Sequence, residues 1–340
     1  MSRVFSGIQP SGTLHIGNYL GAVRNWAELQ RSHESFFCIV DYHAITVPYE
    51  PADLRARTRD MALSLLASGI DPSLSTLFVQ SMVPEHTELA WIFNTLTPLG
   101  ELERQTQFKD KASREESVPA GLLNYPVLQA ADILLYRAQF VPVGEDQLQH
   151  LELSREIARK WNARFDVRST VRSVTAAPGG TTSGFFPEPQ GLLTPARKIM
   201  GLDGKAKMSK SLGNTVGLLE EPDEIWAKLR PAVTDPKRQR RTDPGTPEVC
   251  NIFALHKAFS PPATVEHVAI QCSTAGWGCV DCKKVLHESM ERELVPIRRR
   301  AREVAGDPSN IVDVLKAGAE RARGVARETM REVKDKMGLA

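Results

Sequence analysis

Apolar and polar positions change period several times along the chain. Arg3 to Ser6 is a short apolar strand, and Gly7 to Gly12 is a loop whose glycines and proline forbid regular structure. A helix is predicted from about Gly17, with Leu20, Val23, Ala27 and Gln30 on one face. Ser35 to Val40 is continuously apolar, as a strand covered on both faces would be. Pro51 to Ser68 reads as a helix with Leu54, Met61 and Leu65 inward and Gly69 as its stop, and Ser75 to Gln80 as a third strand. Strand and helix alternating over short connections predicts an α/β fold, a doubly wound parallel sheet. Ligands of such sheets bind beyond the carboxyl ends of the strands, so the loop after the first strand is where a site is expected.

Further helices are predicted over Glu85 to Leu99, Pro126 to Ala138 and Glu145 to Asn162, with a strand at Phe140 to Val143. Residues 169–190 are rich in Pro, Gly, Ser and Thr without an apolar period, which predicts an exposed, mobile insertion. Regular structure is expected again near Leu192. From Glu221 onward the pattern is all-helical. One helix starts at Pro222 and buries Ile225, Trp226 and Leu229; a final one is capped by Ser309 or Asn310 and turns Ile311, Val314, Leu315, Ala322 and Val325 inward. No internal repeat is visible.

Composition narrows the function classes only a little. The 340 residues are 41% apolar and 25% charged, and 43 Lys and Arg against 41 Asp and Glu leave a formal charge of +2, so global charge says nothing about nucleic acid. No apolar run approaches a membrane span and the N-terminus shows no leader, so a complete cytoplasmic protein is expected, with no membrane and no DNA partner. Five cysteines are too few and too odd a number for a disulfide scaffold, and four of them fall late.

Two separated motifs carry the chemistry. His15-Ile16-Gly17-Asn18 lies where the first strand meets its helix. There unpaired N–H groups and the helix dipole favour anions, Gly17 permits close approach, and His15 and Asn18 can donate to phosphate oxygens. The second is Lys207-Met208-Ser209-Lys210-Ser211, in a loop spanning residues 205–213.

With these motifs in this order the sequence resembles the class I aminoacyl-tRNA synthetases, most closely the tryptophan branch. The resemblance runs from Phe5-Ser6-Gly7-Ile8-Gln9-Pro10-Ser11-Gly12 through Leu123-Asn124-Tyr125-Pro126, Ala130-Ala131-Asp132-Ile133-Leu134 and Pro142-Val143-Gly144-Glu145-Asp146-Gln147 to the lysine loop. Asn18 departs from the second histidine usual in the class, and it still supplies a donor. The resemblance implies a Rossmann-like catalytic domain over residues 1–220 and a helical anticodon-binding domain over 221–340. It implies activation of L-tryptophan by ATP with Mg²⁺, transfer to tRNA(Trp) by attack of the terminal 2′-hydroxyl, and a homodimer. A nucleotidyltransferase sharing the first loop, a tRNA-binding paralogue without catalysis and a tyrosine-specific relative are the competing readings.

The reaction itself needs positioning and charge neutralisation more than a base, because the substrate carboxylate is already a nucleophile while negative charge builds on the phosphates. Lys207 and Lys210, on a loop that closes over pyrophosphate, suit that task, with Lys111 as a further candidate. By resemblance Gln9, Pro10, Ser11, Gly17, Asn18 and the residues Ser209 and Ser211 line ATP, Gly144, Glu145 and Asp146 meet its ribose and adenosine, and Ile199 and Met208 offer backbone groups to adenine. Asp132, one acid on an otherwise apolar helix face, would accept the indole N–H. Phe5, His43, Val141 and Val143 would flank the ring, and Tyr125 and Gln147 would hold the α-ammonium group.

Cys250, Cys272, Cys279 and Cys282 could supply four thiolates. By ligand count they suit a [4Fe–4S] cluster or Zn²⁺ equally, and unmetallated core cysteines remain an alternative. Some relatives in the tryptophan branch carry such a cluster on a similar pattern, which favours the [4Fe–4S] reading. Cys38 is a small core residue. The runs Lys237 to Arg241 and Arg298 to Arg302, with Lys283 and Lys284, are candidates for tRNA phosphate contact, or simply solvated helix faces.

Overall fold

The structure, a computed structural model, describes every residue except 13, 107, 110–116, 145–146, 167–183, 194–198 and 210–211. Five strands, β1 (Arg3–Ile8), β2 (Glu34–Ile39), β3 (Ser75–Val79), β4 (Phe140–Val143) and β5 (Gln190–Leu193), form one sheet in the order β3-β2-β1-β4-β5. Every pairing is parallel, with β1 and β2 in step from Arg3 opposite Glu34 to Ile8 opposite Ile39. The strand order reverses between β1 and β4. That reversal opens a crevice at the carboxyl ends, where the first loop was expected to matter.

The continuous apolar run of β2 follows from burial on both faces. Phe37 and Ile39 join one core with Val4, Leu77 and Val79, whereas Phe36, Cys38 and Val40 join a second with Phe5 and Phe78. Helices α1 (Ile16–Asn18), α2 (Arg24–Leu29), α4 (Pro51–Ala67) and α12 (Cys279–Ala305) feed the first core. Helices α5 (Glu85–Asn94), α7 (Ala120–Leu135) and α8 (Leu148–Phe165) feed the second. Short helices α3 (Asp41–Ala44) and α6 (Leu99–Glu103) fill the connections. The C-terminal part adds α9 (Pro222–Leu229), α10 (Asn251–Phe259), α11 (Pro262–Ser273) and α13 (Pro308–Met337). Leu286, Met290 and Leu294 of α12 share a core with Val4 and Phe37, so the C-terminal helices are packed directly on the sheet.

Several boundaries differ from expectation for identifiable reasons. A π turn over Tyr19–Val23 separates α1 from α2 and rotates the buried face, so Trp26 is buried where Ala27 was expected. The helix predicted over Glu85 to Leu99 stops at Asn94, and Pro98 then caps α6. The helix predicted to open at Pro126 begins at Ala120, and Pro126 lies inside it. The last helix is capped by Asp307, whose side chain accepts from the Ser309 N–H, not by Ser309 or Asn310. Most of the expected mobile insertion, residues 169–190, lies outside the described residues, yet its final part is anchored. Phe186 is fully buried against Phe93 and Trp161, and its backbone is bonded both ways to the Asn162 amide. An isolated aromatic pair, Phe185-Phe186, carries no period and so escapes a pattern search.

Helix α13 crosses the sheet edge. Ile311 and Leu315 belong to the first core and Ala319 to Val333 to the second, so the helix passes from one face to the other over edge strand β3. At the crossing, a Cβ on Gly318 would run into the Leu77 carbonyl oxygen. Among the described residues no helix is long and apolar enough to cross a membrane. Gly318→Ala should lower unfolding free energy by about 2–3 kcal/mol in urea titration, because the backbone contact has no flexible side chain to move aside.

Candidate active site

An open cleft of about 410 Å³ lies at the carboxyl ends of β1 and β4. Its phosphate end is built from two loops zipped together. His15 pairs with Gly217 in an antiparallel bridge, Ile16 N–H donates to Val216 and Leu218 N–H to Leu14. His15 caps α1 through Nδ1, which accepts from Asn18 N–H, so the ring's Nε2 is the nitrogen that carries the proton. Asn18 Oδ1 in turn faces His15 N–H at 3.5 Å, which commits its oxygen and turns its amide nitrogen into the useful donor. A Cβ on Gly17 would press on the His15 ring and on Met208, so glycine is what lets the lysine loop lie against the helix N-terminus.

The described part of the lysine loop is tied down by Asn214. This nearly buried amide accepts from Ser209 N–H at 2.8 Å and donates to Asp203, and a Cβ on Gly201 would collide with it. Lys207 reaches the cleft together with Gln9, Gly17, Asn18 and Gly144. Pro10, Ser11 and Ser209 are not among the residues that line it. Met208 N–H donates to the Ile199 carbonyl at 3.2 Å, which ties together the two residues expected to offer backbone groups to adenine. Lys111, Glu145, Asp146, Lys210 and Ser211 lie outside the described residues.

The other end of the cleft is apolar with one buried acid. Phe5, His43, Tyr125, Asp132, Val141, Val143 and Gln147 all line it, as does Gln129. Asp132 is 1% exposed and accepts three hydrogen bonds: from His43 Nε2 at 2.8 Å, Gln80 Nε2 at 2.7 Å and His86 Nδ1 at 2.7 Å. Burial pushes its pKa up, but the bonds and charges of His43 and His86 outweigh burial and bring it down to about 2. A carboxylate offers roughly four acceptor positions, so three donors leave about one for a ligand. Tyr125 and Gln147 are joined through His150: Gln147 Oε1 lies 3.2 Å from its Nδ1 and Tyr125 Oη 3.1 Å from its Nε2. With Nδ1 protonated, the ring donates to the Gln147 oxygen and accepts from the Tyr125 hydroxyl. Burial raises the Tyr125 phenol to about 12, which keeps it protonated.

A family model for class I tRNA synthetases (W and Y) matches residues 1–295. The chain belongs to that family. Curated tryptophan–tRNA ligases are similar to it over their whole length: that of Deinococcus radiodurans is 53% identical, covering 100% of this chain and 99% of the relative, and that of Thermosynechococcus vestitus 46%, covering 99% of each. The solved tryptophanyl-tRNA synthetase of Campylobacter jejuni, complexed with ADP and tryptophan, superposes with a TM-score of 0.85 at 36% identity, covering 99% of this chain and 100% of that one.

The synthetase's C-terminal helices hold the four late cysteines. Cys250 caps α10, Cys272 lies near the end of α11, and Cys279 and Cys282 open α12. Burial raises the Cys282 thiol to about 12, and the charges of Cys250, Cys272 and Cys279 add to that shift. Gly245 N–H donates to the Cys272 carbonyl, and a Cβ at Gly245 would crowd the Cys272 sulfur. Among the described residues no three His, Cys, Asp or Glu groups are arranged to chelate a single ion.

The basic runs are less open than the sequence suggested. Arg238 is buried and donates to the Arg241 and Trp277 carbonyls, with Nη1 3.8 Å from Cys272 Sγ. Arg298 is buried against Glu291 and the Glu220 carbonyl, while Arg302 pairs with Glu221. Lys283 is buried too, donating to the Arg230 and Ala232 carbonyls, so it offers no charge to a passing RNA. Lysines and arginines near a domain junction stitch backbone carbonyls as readily as they bind phosphate, and sequence does not separate the two uses.

Gln80, His86, His150 and Asn214 were not singled out from sequence. Only His150 carried a signal, its spacing of three from Gln147 on one helix turn. Because Asp132 titrates lower in the fold than its ordinary value near ~3.9, its ionised form stabilises the fold above about pH 4, and that stabilisation is lost as pH falls through about 2. Asp132→Asn should therefore cost about 3 kcal/mol at neutral pH, a difference that urea titrations should see shrink between pH 4 and 2.

Proposed function

We propose that the chain activates L-tryptophan with ATP, releasing pyrophosphate, and transfers the tryptophan to the 3′ end of tRNA(Trp). The observation that carries the choice of amino acid is the buried Asp132 carboxylate, ionised and with about one acceptor position to spare, in the apolar end of the cleft. An indole N–H fills that position. A phenol ring of the tyrosine class is shorter and would leave the carboxylate under-satisfied in a dry site, a loss of the kind that supports large discrimination. Phe5, Val141 and Val143 enclose the ring, and Tyr125 and Gln147, joined through His150, accept from the ammonium group.

At the other end the N-terminus of α1, with Gly17 and Asn18, receives the ATP phosphates, and Lys207 supplies positive charge as the α-phosphorus is attacked. Lys210, Lys111, Glu145, Asp146 and Ser211 are assigned to the same nucleotide by the family motif. Mg²⁺ accompanies ATP and is held by phosphate oxygens. Catalysis is positioning plus charge neutralisation: the carboxylate and the α-phosphorus are brought together, and the loop tethered by Asn214 brings Lys207 to the leaving pyrophosphate. Pyrophosphate exchange into ATP should depend on tryptophan, and Lys207→Ala should cut its kcat by about 10²-fold with tryptophan KM little changed. Exchange that depends on tyrosine instead would overturn the amino-acid assignment.

Residues 221–340 read the anticodon in this proposal, with exposed Lys237, Arg240, Arg241 and Lys284 as phosphate contacts. A homodimer is supported by apolar residues left at the surface, Trp91 of α5 at 73% exposure, Leu99 of α6 and Val118 just before α7. Cys250, Cys272, Cys279 and Cys282 would hold a [4Fe–4S] cluster, a reading supported by four cysteines standing at the adjoining ends of α10, α11 and α12. When bound, such a group cross-links α10, α11 and α12 and can exchange one electron. Anaerobically purified protein should show broad absorption near 400 nm and about four iron per chain; one zinc per chain, or no metal, would overturn this assignment.

A further inference from the structure

His86 is fully buried on α5 and does not line the cleft, yet it is bonded at both ring nitrogens. Its Nδ1 lies 2.7 Å from Asp132 Oδ1 and its Nε2 lies 2.8 Å from Tyr136 Oη. An ionised carboxylate only accepts, so Nδ1 must carry a proton and donate. In the neutral ring Nε2 is then an acceptor, and the Tyr136 hydroxyl donates to it. The chain of bonds runs one way, from Tyr136 through His86 to Asp132.

Tyr136 is itself fixed. Its ring stacks on Phe5, with centroids 5.5 Å apart and planes 8° from parallel, and on Phe36 at 4.6 Å and 22°. Phe5 is a wall of the cleft, so the same tyrosine backs the ring-binding surface and orients the imidazole behind the acid. Gln80 shares Oδ1 from the other side, its own orientation set by Tyr42 N–H donating to Oε1 at 3.1 Å. Among the described residues Oδ1 is taken by Gln80 and His86 and Oδ2 is bonded only to His43, so the remaining acceptor position is on Oδ2.

We propose that His86, oriented by Tyr136, is a specificity-positioning residue: it occupies Asp132 Oδ1 and thereby presents Oδ2 to the indole N–H. The inference rests on the tryptophan reading above and adds residues that never touch the substrate. A group that merely filled space would leave discrimination between donor and non-donor rings unchanged when replaced. A group that aims an acceptor would not.

The experiment compares kcat/KM in pyrophosphate exchange for L-tryptophan and for its benzothiophene analogue, in which sulfur replaces the ring N–H. In the wild type the ratio should be about 10²-fold in favour of tryptophan. His86→Leu should lower that ratio by about tenfold, through the tryptophan KM, with the analogue changed by less than about threefold. His86→Asn keeps a donor near the Nδ1 position and should restore the ratio to within about threefold, while Tyr136→Phe, nearly isosteric, should lower it by about threefold to tenfold. If His86→Leu does not fold, Tyr136→Phe decides. An unchanged ratio in a folded His86→Leu or in Tyr136→Phe, or equal losses for both amino acids, would overturn the role of His86. A wild type that exchanges with tyrosine and not tryptophan overturns the functional reading itself, and this inference with it.

Discussion

A carboxylate that is ionised and almost wholly buried sets the terms for the rest of this site. Asp132 is tolerable in an apolar helix face only because three donors converge on it, since removing one partner from a buried charge typically costs several kcal/mol. Those donors come from separate segments: His43 from the helix after β2, Gln80 from the turn after β3, and His86 from α5. Parallel strands bring all three together because their carboxyl ends lie on one side of the sheet. Sheet register is thus the precondition of the acid, and the acid of the apolar cleft around it.

The nucleotide end depends on backbone more than on charge. The loop proposed to close over pyrophosphate has a fixed base in the ladder from residues 14–16 to 216–218 together with the Asn214 amide. Gly17 and Gly201 hold their places because neighbouring groups occupy the space a side chain would need. The two signatures, about 190 residues apart in sequence, are therefore neighbours through main-chain bonds, with Met208, Val216 and Leu218 buried beside them.

The sheet was legible because its strands are short apolar runs between strong turn residues, and β1, β2, β3 and β4 fall within two residues of the pattern reading. Every residue proposed from motif and resemblance for the amino-acid end lines one cleft. What stayed illegible was the support behind it. Gln80, His86 and Asn214 are polar residues with no period and no motif, and their meaning lies entirely in which distant group they meet. The π turn before Trp26 and the interior Pro126 were missed for the opposite reason, since local preference argued one way and packing enforced another. Charge runs were legible only in part, because Arg238, Lys283 and Arg298 satisfy carbonyls and acids inside the fold while Lys237, Arg240, Arg241 and Lys284 stay exposed.

Shared cores make the two halves of the chain mechanically one object among the described residues. Glu85, the neighbour of His86 on α5, is nearly buried and pairs with Arg323 at 3.3 Å and Arg327 at 3.5 Å on α13. Lys334 of the same helix pairs with Glu88 at 2.6 Å. A sliding motion of α13 along β3 must either break these pairs or carry α5 with it, and with α5 the imidazole that supports Asp132. Close packing at Gly318 resists the first half of that motion, since the helix backbone rides directly on the Leu77 carbonyl. The packing behind Asp132 therefore extends through α5 to a terminal helix seated on the edge strand.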